Sequence, residues 1–324
     1  MKPLVSIVIT NWNGKDHIEE CLTSLLKQSY KNYEVIFVDN GSTDGSVEFI
    51  KKKFPKIKLI QNKKNNGFAK ANNQGFLISK GNYIIFLNND TKADKNWLNE
   101  LVIAAEKYPE IGMFSSKMLF YNNPKIINSR GLKLFYDAKA VDDGFNVLDS
   151  KEKVKDVFGP CGGASFFRKK LIEDISFNNE FYDEDFFIYS EDLDVAFRSR
   201  LKGWKCLYIP TAIIYHKHNA TAKKVQDLAL YHYTKNKIFI IIKNYPLALL
   251  IKYSLVILLR QLISLIYYIL KLRFSAVKSR IVVIYYLPKM LRKRWKIQRT
   301  KRVSNKELKK WLLPRPLLSS LFSN

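Results

Sequence analysis

The stretch that decides the fold reads Gly81-Asn82-Tyr83-Ile84-Ile85-Phe86-Leu87-Asn88-Asn89-Asp90-Thr91. Its apolar run, residues 83–87, is rich in β-branched and aromatic side chains, which is typical of a parallel strand buried on both faces. Polar residues follow at the expected carboxyl end of that strand, where ligands bind in open α/β sheets. A carboxylate there, flanked by amides, suits a divalent cation that holds a diphosphate. The alternative is a polar turn into a helix, with Thr91 or Asp94 as N-cap.

Residues 4–107 alternate between strand-like runs and segments with helical spacing. The predicted strands are 4–10, 33–38, 57–61 and 83–87, and the predicted helices are 15–28, 46–54, 65–79 and 95–107. This alternation, with short polar loops at strand ends, predicts an α/β fold with a doubly wound, mostly parallel sheet. No loop carries Gly-x-Gly-x-x-Gly or a Gly-Lys-Ser/Thr phosphate loop, which disfavours dinucleotide-binding and P-loop enzymes. A nucleotide site built from carboxylates and a metal remains.

Composition bounds the class of protein. The 324 residues suffice for one large α/β domain with an appendage, and a hydrophobic content of 47% excludes a disordered chain. The three cysteines, Cys21, Cys161 and Cys206, show neither metal-binding spacing nor a disulfide framework, which favours a reducing cytosol. The first apolar run is too short for a signal peptide and is predicted to be a strand.

The net charge of +26 is unevenly distributed. From residue 246 onward the chain carries 18 basic residues and one acidic residue, Glu307. Most of the excess positive charge therefore lies in the last quarter of the sequence. This asymmetry predicts an anionic partner for the C-terminal region, either membrane headgroups or nucleic acid.

Short strand-like pieces, residues 113–120 and 132–135, lie among Asn, Gly and Asp and are typical of loops that shape an acceptor site. The glycine-rich segment 159–165 allows close backbone approach to a ligand, or it is a turn without one. His216, beyond a predicted strand at 206–210, is either structural or a metal ligand; the second role requires Asp90 as a spatial neighbour.

The run Ser190-Glu191-Asp192-Leu193-Asp194 predicts the start of a helix, with Ser190 as N-cap. Capping and compensation of the helix dipole could explain Glu191 and Asp192. Three carboxylates in four positions are, however, more than one helix end needs. A base at the mouth of an apolar pocket can have its pKa tuned for proton abstraction.

Together these motifs resemble the family 2 glycosyltransferases of the GT-A fold, most closely their rhamnosyltransferase-like branch, over about residues 3–245. The matching segments follow the family order: Thr10-Asn11-Trp12-Asn13, Val38-Asp39-Asn40-Gly41-Ser42-Thr43-Asp44-Gly45-Ser46, Asn65-Asn66-Gly67-Phe68-Ala69-Lys70-Ala71-Asn72-Asn73, Leu87-Asn88-Asn89-Asp90-Thr91, Gly162-Gly163-Ala164, Glu191-Asp192 with Asp194, Arg198, Gly203 and Trp204, then Pro210 and His216. The resemblance implies a Rossmann-like, mostly parallel nucleotide-sugar-binding domain at residues 1–240. Residues 241–324 would form a hydrophobic, basic, helical region that associates with membranes.

The resemblance also implies roles for individual residues. Asp192 would be the general base that deprotonates the acceptor hydroxyl, with Glu191 beside it in the catalytic pair. Asp90 and His216 would hold Mg²⁺ or Mn²⁺. The implied donor-binding residues are Thr10, Asn11, Asn13, Asp39, Asn66, Gly67, Ala71, Asn72, Asn88 and Asn89, of which Thr10 and Asp39 would contact a pyrimidine base. The implied acceptor-binding residues are Gly162, Gly163 and Ala164.

Two positions depart from the family pattern. Asn88 occupies the first position of the metal motif where the family has Asp, which leaves one protein carboxylate for the metal. That is workable because the diphosphate supplies oxygens and Mg²⁺ needs few protein ligands. The Arg-Asn pair that often follows the histidine is Lys235-Asn236 here, and Lys cannot grip a phosphate bidentately.

Residues 245–274 are strongly hydrophobic but are interrupted by Lys252, Arg260, Lys271 and Arg273. The longest uncharged stretch, 261–270, is too short to span a bilayer. We therefore expect helices that lie in the membrane interface, with the basic block at 292–296 adding attraction to anionic lipid. The alternative is a buried helical hairpin with a solvated basic end.

The pair Arg294-Trp295 resembles the end of the Gln-x-x-Arg-Trp signature of processive synthases, but Leu291 occupies the Gln position. A processive synthase is therefore disfavoured. The predicted function is that of a metal-dependent inverting glycosyltransferase, peripheral or monotopic at the cytoplasmic face of the cell membrane. It would use dTDP-rhamnose or a UDP-sugar and a lipid-linked or cell-surface polysaccharide acceptor. No nucleic-acid partner is expected. The alternatives are a basic nucleic-acid- or membrane-binding protein and a catalytically degenerate sugar-nucleotide binder.

Overall fold

The fold is taken from a computed structural model that describes residues 2–217 and 226–315. The helices are α1 (Lys15–Leu26), α2 (Ser46–Lys53), α3 (Phe68–Leu77), α4 (Trp97–Lys107), α5 (Lys169–Ile175), α6 (Glu191–Leu201), α7 (Gln226–Asn244), α8 (Leu247–Leu270), α9 (Phe274–Arg299) and α10 (Asn305–Lys309). The strands are β1 (Val5–Asn11), β2 (Tyr33–Asp39), β3 (Lys58–Gln61), β4 (Tyr83–Asn88), β5 (Thr91–Ala93), β6 (Met113–Phe120), β7 (Asn123–Ser129), β8 (Leu132–Phe135), β9 (Ala140–Asp142), β10 (Lys155–Asp156), β11 (Ala164–Arg168), β12 (Cys206–His216) and β13 (Leu312–Leu313).

Strand β4 lies near the middle of a ten-stranded sheet. Eight of its strands follow the order β10-β12-β6-β11-β4-β1-β2-β3, while β5 pairs with β12 and β7 pairs with β6. Strands β1 to β4 are mutually parallel, and β11 runs antiparallel to both β4 and β6. Successive side chains of β4 enter different apolar clusters, Ile85 in one and Ile84 with Phe86 in another. The prediction of a strand buried on both faces inside a mostly parallel α/β sheet is thus confirmed.

The carboxyl ends of the first parallel strands meet at one edge of this sheet. Asn11 at the end of β1 is in register with Asp39 at the end of β2, and Thr10 is in register with Asn88 at the end of β4. The chain reverses its direction of winding between β1 and β4, because β2 and β3 lie on one side of β1 and β4 lies on the other. Ligands of open α/β sheets bind at such a switch point.

A separate apolar cluster joins the C-terminal helices to the rest of the protein. It contains Phe197 of α6, Phe239 of α7, Tyr253 of α8 and Met290 of α9. Helix α7 runs through the predicted domain boundary at 240/241, and its residues on both sides of that boundary are buried in this cluster.

Helix α8 has two faces of different character. Leu249, Tyr253, Ile257 and Arg260 are buried against the protein at helical spacing. The opposite face is apolar and exposed; it consists of Leu247, Ile251, Leu255, Leu258, Leu262, Ile266 and Leu270. With 24 residues, α8 is long and apolar enough to cross a membrane by length and composition. The uncharged stretch 261–270 is too short to span a bilayer by itself, and α8 is longer because it continues through Lys252 and Arg260, of which Arg260 is buried against the protein.

Candidate active site

A cavity of about 360 Å³ opens at the carboxyl ends of β1 and β4. Nine of the residues predicted for the site line it: Thr10, Asn88, Asn89, Asp90, Gly162, Gly163, Glu191, Asp192 and His216. These residues come from five separate parts of the sequence. The sheet and helix α6 bring them together, so the predicted metal-binding and catalytic groups share one cavity.

The other predicted residues lie in the surrounding framework rather than in the cavity lining: Asn11, Asn13, Asp39, Asn66, Gly67, Ala71, Asn72 and Ala164. Asn11 links three loops, since its Nδ2 donates to Asp39 Oδ1 (3.0 Å) and its Oδ1 accepts from Asn89 Nδ2 (2.6 Å). Asp39 is buried and also accepts from the backbone N–H of Ser42 (2.9 Å). Asn11 and Asp39 therefore hold the donor-side loops in place, and contact between Asp39 and a base stays a prediction.

The remaining framework residues have local roles. Asn72 donates to the carbonyl of Phe68 within α3 (2.9 Å), and Ala71 and Ala164 belong to the apolar clusters. Asn13 Oδ1 accepts from the Thr43 N–H (2.8 Å), and the N–H of Asn66 donates to Asn40 Oδ1 (3.0 Å).

Gly67 has a φ of 89°, and a Cβ there would lie 2.5 Å from the Phe187 ring. This position requires glycine because both the backbone conformation and the available space exclude a side chain. The contact packs the start of α3 against the loop that leads to α6, which carries the predicted base.

Asp90 and His216 form the predicted metal pair. Strand β12 pairs with β5 so that His216 is opposite Thr91, which brings the imidazole beside the end of β4. His216 Nε2 lies 3.3 Å from Asp90 Oδ1, and both side chains are largely buried. Burial alone would raise the pKa of Asp90, but the adjacent His216 outweighs it and holds that pKa below its ordinary value.

Asn128 orients the histidine. Its Oδ1 lies 2.9 Å from His216 Nδ1, so Nε2 points toward Asp90. Metal-binding histidines are commonly held in this way through the nitrogen that does not face the metal. Nothing in the local sequence of Asn128 indicated this role, because it lies on β7 in a segment without a recognisable motif.

The arrangement of Asp90 and His216 fits a divalent cation. Asp90 Oδ1 is buried, lies 3.3 Å from His216 Nε2, and accepts no hydrogen bond of good geometry from the described residues. Within residues 2–217 and 226–315 no group of three or more His, Cys, Asp or Glu side chains could hold a metal ion. A metal here would therefore complete its coordination with donor diphosphate oxygens and water, as Mg²⁺ commonly does.

Asp192 lies at the start of α6, opposite the glycine-rich loop. Its Oδ2 accepts from the Gly162 N–H (3.0 Å) and its Oδ1 from the Leu193 N–H (2.7 Å). A Cβ at position 162 would lie 3.2 Å from Oδ2, so glycine permits the close approach. Burial, together with the charge of Asp142, raises the pKa of Asp192 to about 6 despite these two hydrogen bonds.

Glu191 occupies a more enclosed position than Asp192. Burial, followed by the charges of Asp192 and Asp194, raises the pKa of Glu191 above its ordinary value. The third acid of the run, Asp194, pairs with Arg198 (2.9 Å) and with Lys243 (2.9 Å) away from the cavity. The run of three carboxylates thus divides into two that line the cavity and one that is structural.

The prediction that Ser190 caps α6 is wrong as to its side chain. Ser190 occupies the N-cap position, but its φ is +64° and its side chain makes no capping hydrogen bond. Tyr189 and Phe187 also have positive φ values, so the approach to α6 is strained. Asn236 holds this loop by donating to the carbonyls of Phe186, Ile188 and Tyr189 (2.9, 2.9 and 2.7 Å).

Lys235 stands where the family pattern has arginine, and in this structure its ammonium group bonds to the protein itself. It is buried, and its ammonium donates to the carbonyl of Asp185. Burial lowers the pKa of Lys235 to about 8. The Lys235-Asn236 pair therefore stabilises the segment before α6.

Nine cavity-lining residues were not predicted: Trp12, Asn40, Asn65, Phe68, Asn128, Asp142, Cys161, Ile188 and Tyr189. The first four lie inside the quoted motifs, so the sequence carried a signal for them. Asp142, on β9, is an acid beside Asp192 that no motif marks. It reaches the cavity only because β9 pairs with β8 above the glycine-rich loop.

Four buried oxygen atoms that belong to cavity-lining residues accept no hydrogen bond of good geometry from the described residues: Thr10 Oγ1, Asp90 Oδ1, Asp142 Oδ1 and Glu191 Oε2. Asp90 Oδ1 has the contact with His216 Nε2 at 3.3 Å. Buried polar atoms in folded proteins are nearly always satisfied, by protein or by water. These atoms are therefore available to pair with ordered water or with a polar ligand in the cavity.

Comparison with known proteins identifies the family of the chain. A sequence profile described as glycosyl transferase family 2 matches residues 6–176, more than half of the chain. An uncharacterized glycosyltransferase of Haemophilus influenzae is 27% identical over 269 residues, which cover 74% of this chain and 77% of that protein. The N-acetylglucosaminyl-diphospho-decaprenol L-rhamnosyltransferase of Mycobacterium tuberculosis is 22% identical over 265 residues, which cover 74% of this chain and 85% of that protein.

Among solved structures, GalNAc-T7 with UDP, GalNAc and Mn²⁺ resembles this fold with a TM-score of 0.58 at 18% identity. The match covers 74% of this chain but 47% of that chain. At this level of identity the likeness concerns the fold alone, and it supports the GT-A-like arrangement of sheet and helices.

Proposed function

This chain belongs to glycosyl transferase family 2 and is a glycosyltransferase, and we propose that it is a metal-dependent, inverting enzyme. It would transfer a sugar from a nucleoside diphosphate donor to a hydroxyl of a lipid-linked or polysaccharide acceptor. The observation that carries this proposal is the single cavity that joins the Asp90–His216 pair to Asp192, with unsatisfied polar atoms around it. A metal site, a base and room for two substrates are what direct sugar transfer requires.

The proposed chemistry assigns one task to each group. Asp192 takes the proton of the acceptor hydroxyl on a carboxylate oxygen, and its raised pKa makes it a stronger base than an ordinary aspartate. Asp90 and His216 hold Mg²⁺ or Mn²⁺, which when bound neutralises charge on the leaving diphosphate. Attack by the acceptor from the side opposite the diphosphate inverts the anomeric carbon.

Glu191 is proposed to remain protonated while Asp192 is ionised. Two adjacent buried carboxylates resist ionising together, so the pair holds one proton near neutral pH. A neutral Glu191 can donate a hydrogen bond into the cavity, and it avoids a second negative charge beside the diphosphate. The strong negative potential that two ionised acids would create there is thereby reduced.

The donor is proposed to be dTDP-rhamnose or a UDP-sugar. The support for rhamnose is the resemblance to the rhamnosyltransferase-like branch and the name of the M. tuberculosis relative. Thr10, on the donor side, offers an unsatisfied hydroxyl to the nucleotide.

The protein is proposed to act as a peripheral or monotopic enzyme at the cytoplasmic face of the cell membrane. The apolar outer face of α8 is exposed, and helix α9, which packs on α8, carries basic residues that include Lys296 and Arg299 in its last turn. Because the other face of α8 is buried against the protein, the helix suits a position along the interface better than one across the bilayer.

Donor turnover tests the proposal. Purified protein in detergent would be incubated with UDP- and dTDP-sugars in the presence of Mg²⁺ or Mn²⁺ or of EDTA, and release of nucleoside diphosphate would be followed. We expect release from one donor that is lost with EDTA and in Asp192→Asn, while Asp16→Asn on the exposed start of α1 serves as the carboxylate control. If no donor binds by calorimetry with metal present, the enzyme assignment fails.

A further inference from the structure

A second cavity, of about 620 Å³, lies between α7, α8 and the turn that follows β8. Seven basic side chains and one carboxylate, Asp137, line it. Six of the basic residues are Lys139, Lys237, Arg260, Lys271, Arg280 and Arg315; the seventh, Arg273, reaches outward to Asp227 at 3.5 Å. We call this the basic cavity. The active-site cavity is lined by a different set of residues.

The positive charge of the basic cavity exceeds what the described residues neutralise. Asp137 already forms ion pairs with Lys237 (2.8 Å) and Arg315 (3.3 Å). Lys139 forms no ion pair in the described part of the chain. Arg280 donates to the carbonyl of Ala276 (2.7 Å) and to Ser264 Oγ (2.9 Å), but no carboxylate pairs with it there. The sequences 218–225 and 316–324 contain no Asp or Glu that could compensate.

Crowding of these cations is unfavourable in the absence of an anion. Burial, followed by the charges of Arg315 and Lys237, lowers the pKa of Lys139. Burial likewise lowers the pKa of Arg280. A protein retains such a cluster at a cost in stability, and a multiply charged anion would remove that cost.

The side chains around the cations suit a phosphate group. Arginine presents parallel N–H groups to phosphate oxygens, and lysine adds point charges. Hydroxyl groups of Thr234, Ser264 and Tyr233 also line the cavity and can donate to further oxygens. A cavity of this volume is large enough for a diphosphate. A single carboxylate would leave most of the basic side chains unpaired.

The basic cavity lies between an apolar surface and the active site. Arg260 and Ser264 face it from α8, and Lys271 lies directly after that helix; the opposite side of α8 is the exposed apolar face described above. Strand β9 connects it to the active-site cavity, since Lys139 immediately precedes that strand and Asp142 ends it. Three residues of extended chain span about 10 Å. The Cα atoms of Lys139 and Asp142 are therefore about 10 Å apart, a length that a diphosphate joined to one sugar can span.

We propose that the basic cavity binds the phosphate or diphosphate headgroup of a membrane lipid, and specifically the diphosphate of the lipid-linked acceptor. The lipid tail would leave along the apolar face of α8, and the attached sugar would extend past β9 to the active site. The identity of the lipid as acceptor rests on the proposed function. The binding of a lipid diphosphate does not, and it can be measured without turnover.

The test uses the full chain in detergent and two charge-removing substitutions, Lys139→Gln and Arg280→Gln, singly and together. Binding of farnesyl diphosphate would be measured by calorimetry against farnesol, inorganic pyrophosphate and, separately, vesicles with and without phosphatidylglycerol. The matched control removes two lysines at the far edge of the sheet, Lys52→Gln with Lys56→Gln, which are exposed. Lys139→Arg with Arg280→Lys keeps the charge, and binding of a nucleoside diphosphate donor with metal reports an intact fold.

We expect farnesyl diphosphate to bind far better than farnesol, and each removed cation to weaken it by about tenfold or more. The control pair and the charge-keeping pair should bind as the unchanged protein does. If the charge-removing substitutions weaken only the binding to phosphatidylglycerol vesicles, the cavity binds a lipid phosphate, and the source of that phosphate is a phospholipid. Unchanged binding of both lipids in the double variant, with donor binding intact, overturns the proposal. If lipid binding behaves as expected but no donor is turned over, the proposed function is contradicted and the lipid site is not.

Discussion

The Asp192→Asn variant is expected to lose activity and gain stability at the same time. The amide has nearly the shape of the carboxylate but cannot take a proton from the acceptor. General-base catalysis contributes roughly 10²–10⁴-fold to a rate. We therefore expect kcat to fall by about that factor, which corresponds to about 3–5 kcal/mol of transition-state stabilisation.

The gain in stability follows from the raised pKa of Asp192. A rise from 3.8 to about 6 means that the ionised carboxylate costs the folded state about 3 kcal/mol at pH 8. Because the folded-state pKa is the higher one, this cost is absent below pH 3.8 and grows as the pH rises to about 6. At pH 5 it is about half as large.

The amide avoids this cost but loses one hydrogen bond. Its single oxygen can accept from either Gly162 or Leu193, whereas the carboxylate accepts from both. The lost bond costs about 1 kcal/mol. The net expectation is a variant more stable than the unchanged protein by about 2 kcal/mol at pH 8 and by about 0.5 kcal/mol at pH 5.

Two assays check these expectations. Release of nucleoside diphosphate in the presence of acceptor gives kcat, and urea unfolding at pH 8 and pH 5 gives the free energy of unfolding. Full activity in Asp192→Asn would remove the base assignment. A variant less stable than the parent at pH 8 would show that the carboxylate is not held at an energetic cost, and the reasoning from its pKa would be refuted.

Four further outcomes are expected. Glu191→Gln should keep kcat/KM within about tenfold of the parent, because a protonated Glu191 already resembles glutamine; a loss as large as that of Asp192→Asn would reverse the two roles. The kcat/KM of the parent should rise about tenfold per pH unit below about pH 6 and then level off, since Asp192 must be ionised to act; a flat pH–rate profile between pH 5 and 7 would contradict this. Asn128→Leu should raise the metal concentration for half-maximal turnover by about 10–100-fold, because His216 loses its orienting partner; Asn122→Leu on the neighbouring exposed turn should leave it unchanged. Lys243→Met should lower the free energy of unfolding by about 3–5 kcal/mol, since two buried carboxylates at 2.5 and 2.9 Å lose their shared cation, and a neutral result in urea unfolding would exclude a structural role.

Much of the fold followed from local sequence patterns. The predicted strands at 113–120 and 132–135 coincide with β6 and β8, and the predicted strand at 83–87 is β4. Apolar runs and turn residues are local signals, so they identify elements without knowledge of their neighbours. The sequence also predicted that polar residues at the ends of parallel strands form one site, because the carboxyl ends of all such strands lie at one edge of a sheet.

The charge state of the predicted base could not be read in the same way. Burial raises the pKa values of Asp192 and Glu191, and the charge of Asp142, 50 positions away in the sequence, raises that of Asp192 further. The capping role assigned to Ser190 failed for a related reason. The packing of the preceding loop against α3 and α7, and not the local preference of serine, sets its backbone conformation.

The sequence by itself determined the order of the elements, the family motifs and the segments that carry the chemistry. Only the tertiary structure decided that Asn128 holds His216, that Lys235 bonds the carbonyl of Asp185, and that the residues at the two ends of β9 line two different cavities. Each of these depends on side chains that are far apart along the chain and become neighbours through strand pairing and helix packing. Periodicity reports which face of an element is buried, but not which distant residue it is buried against.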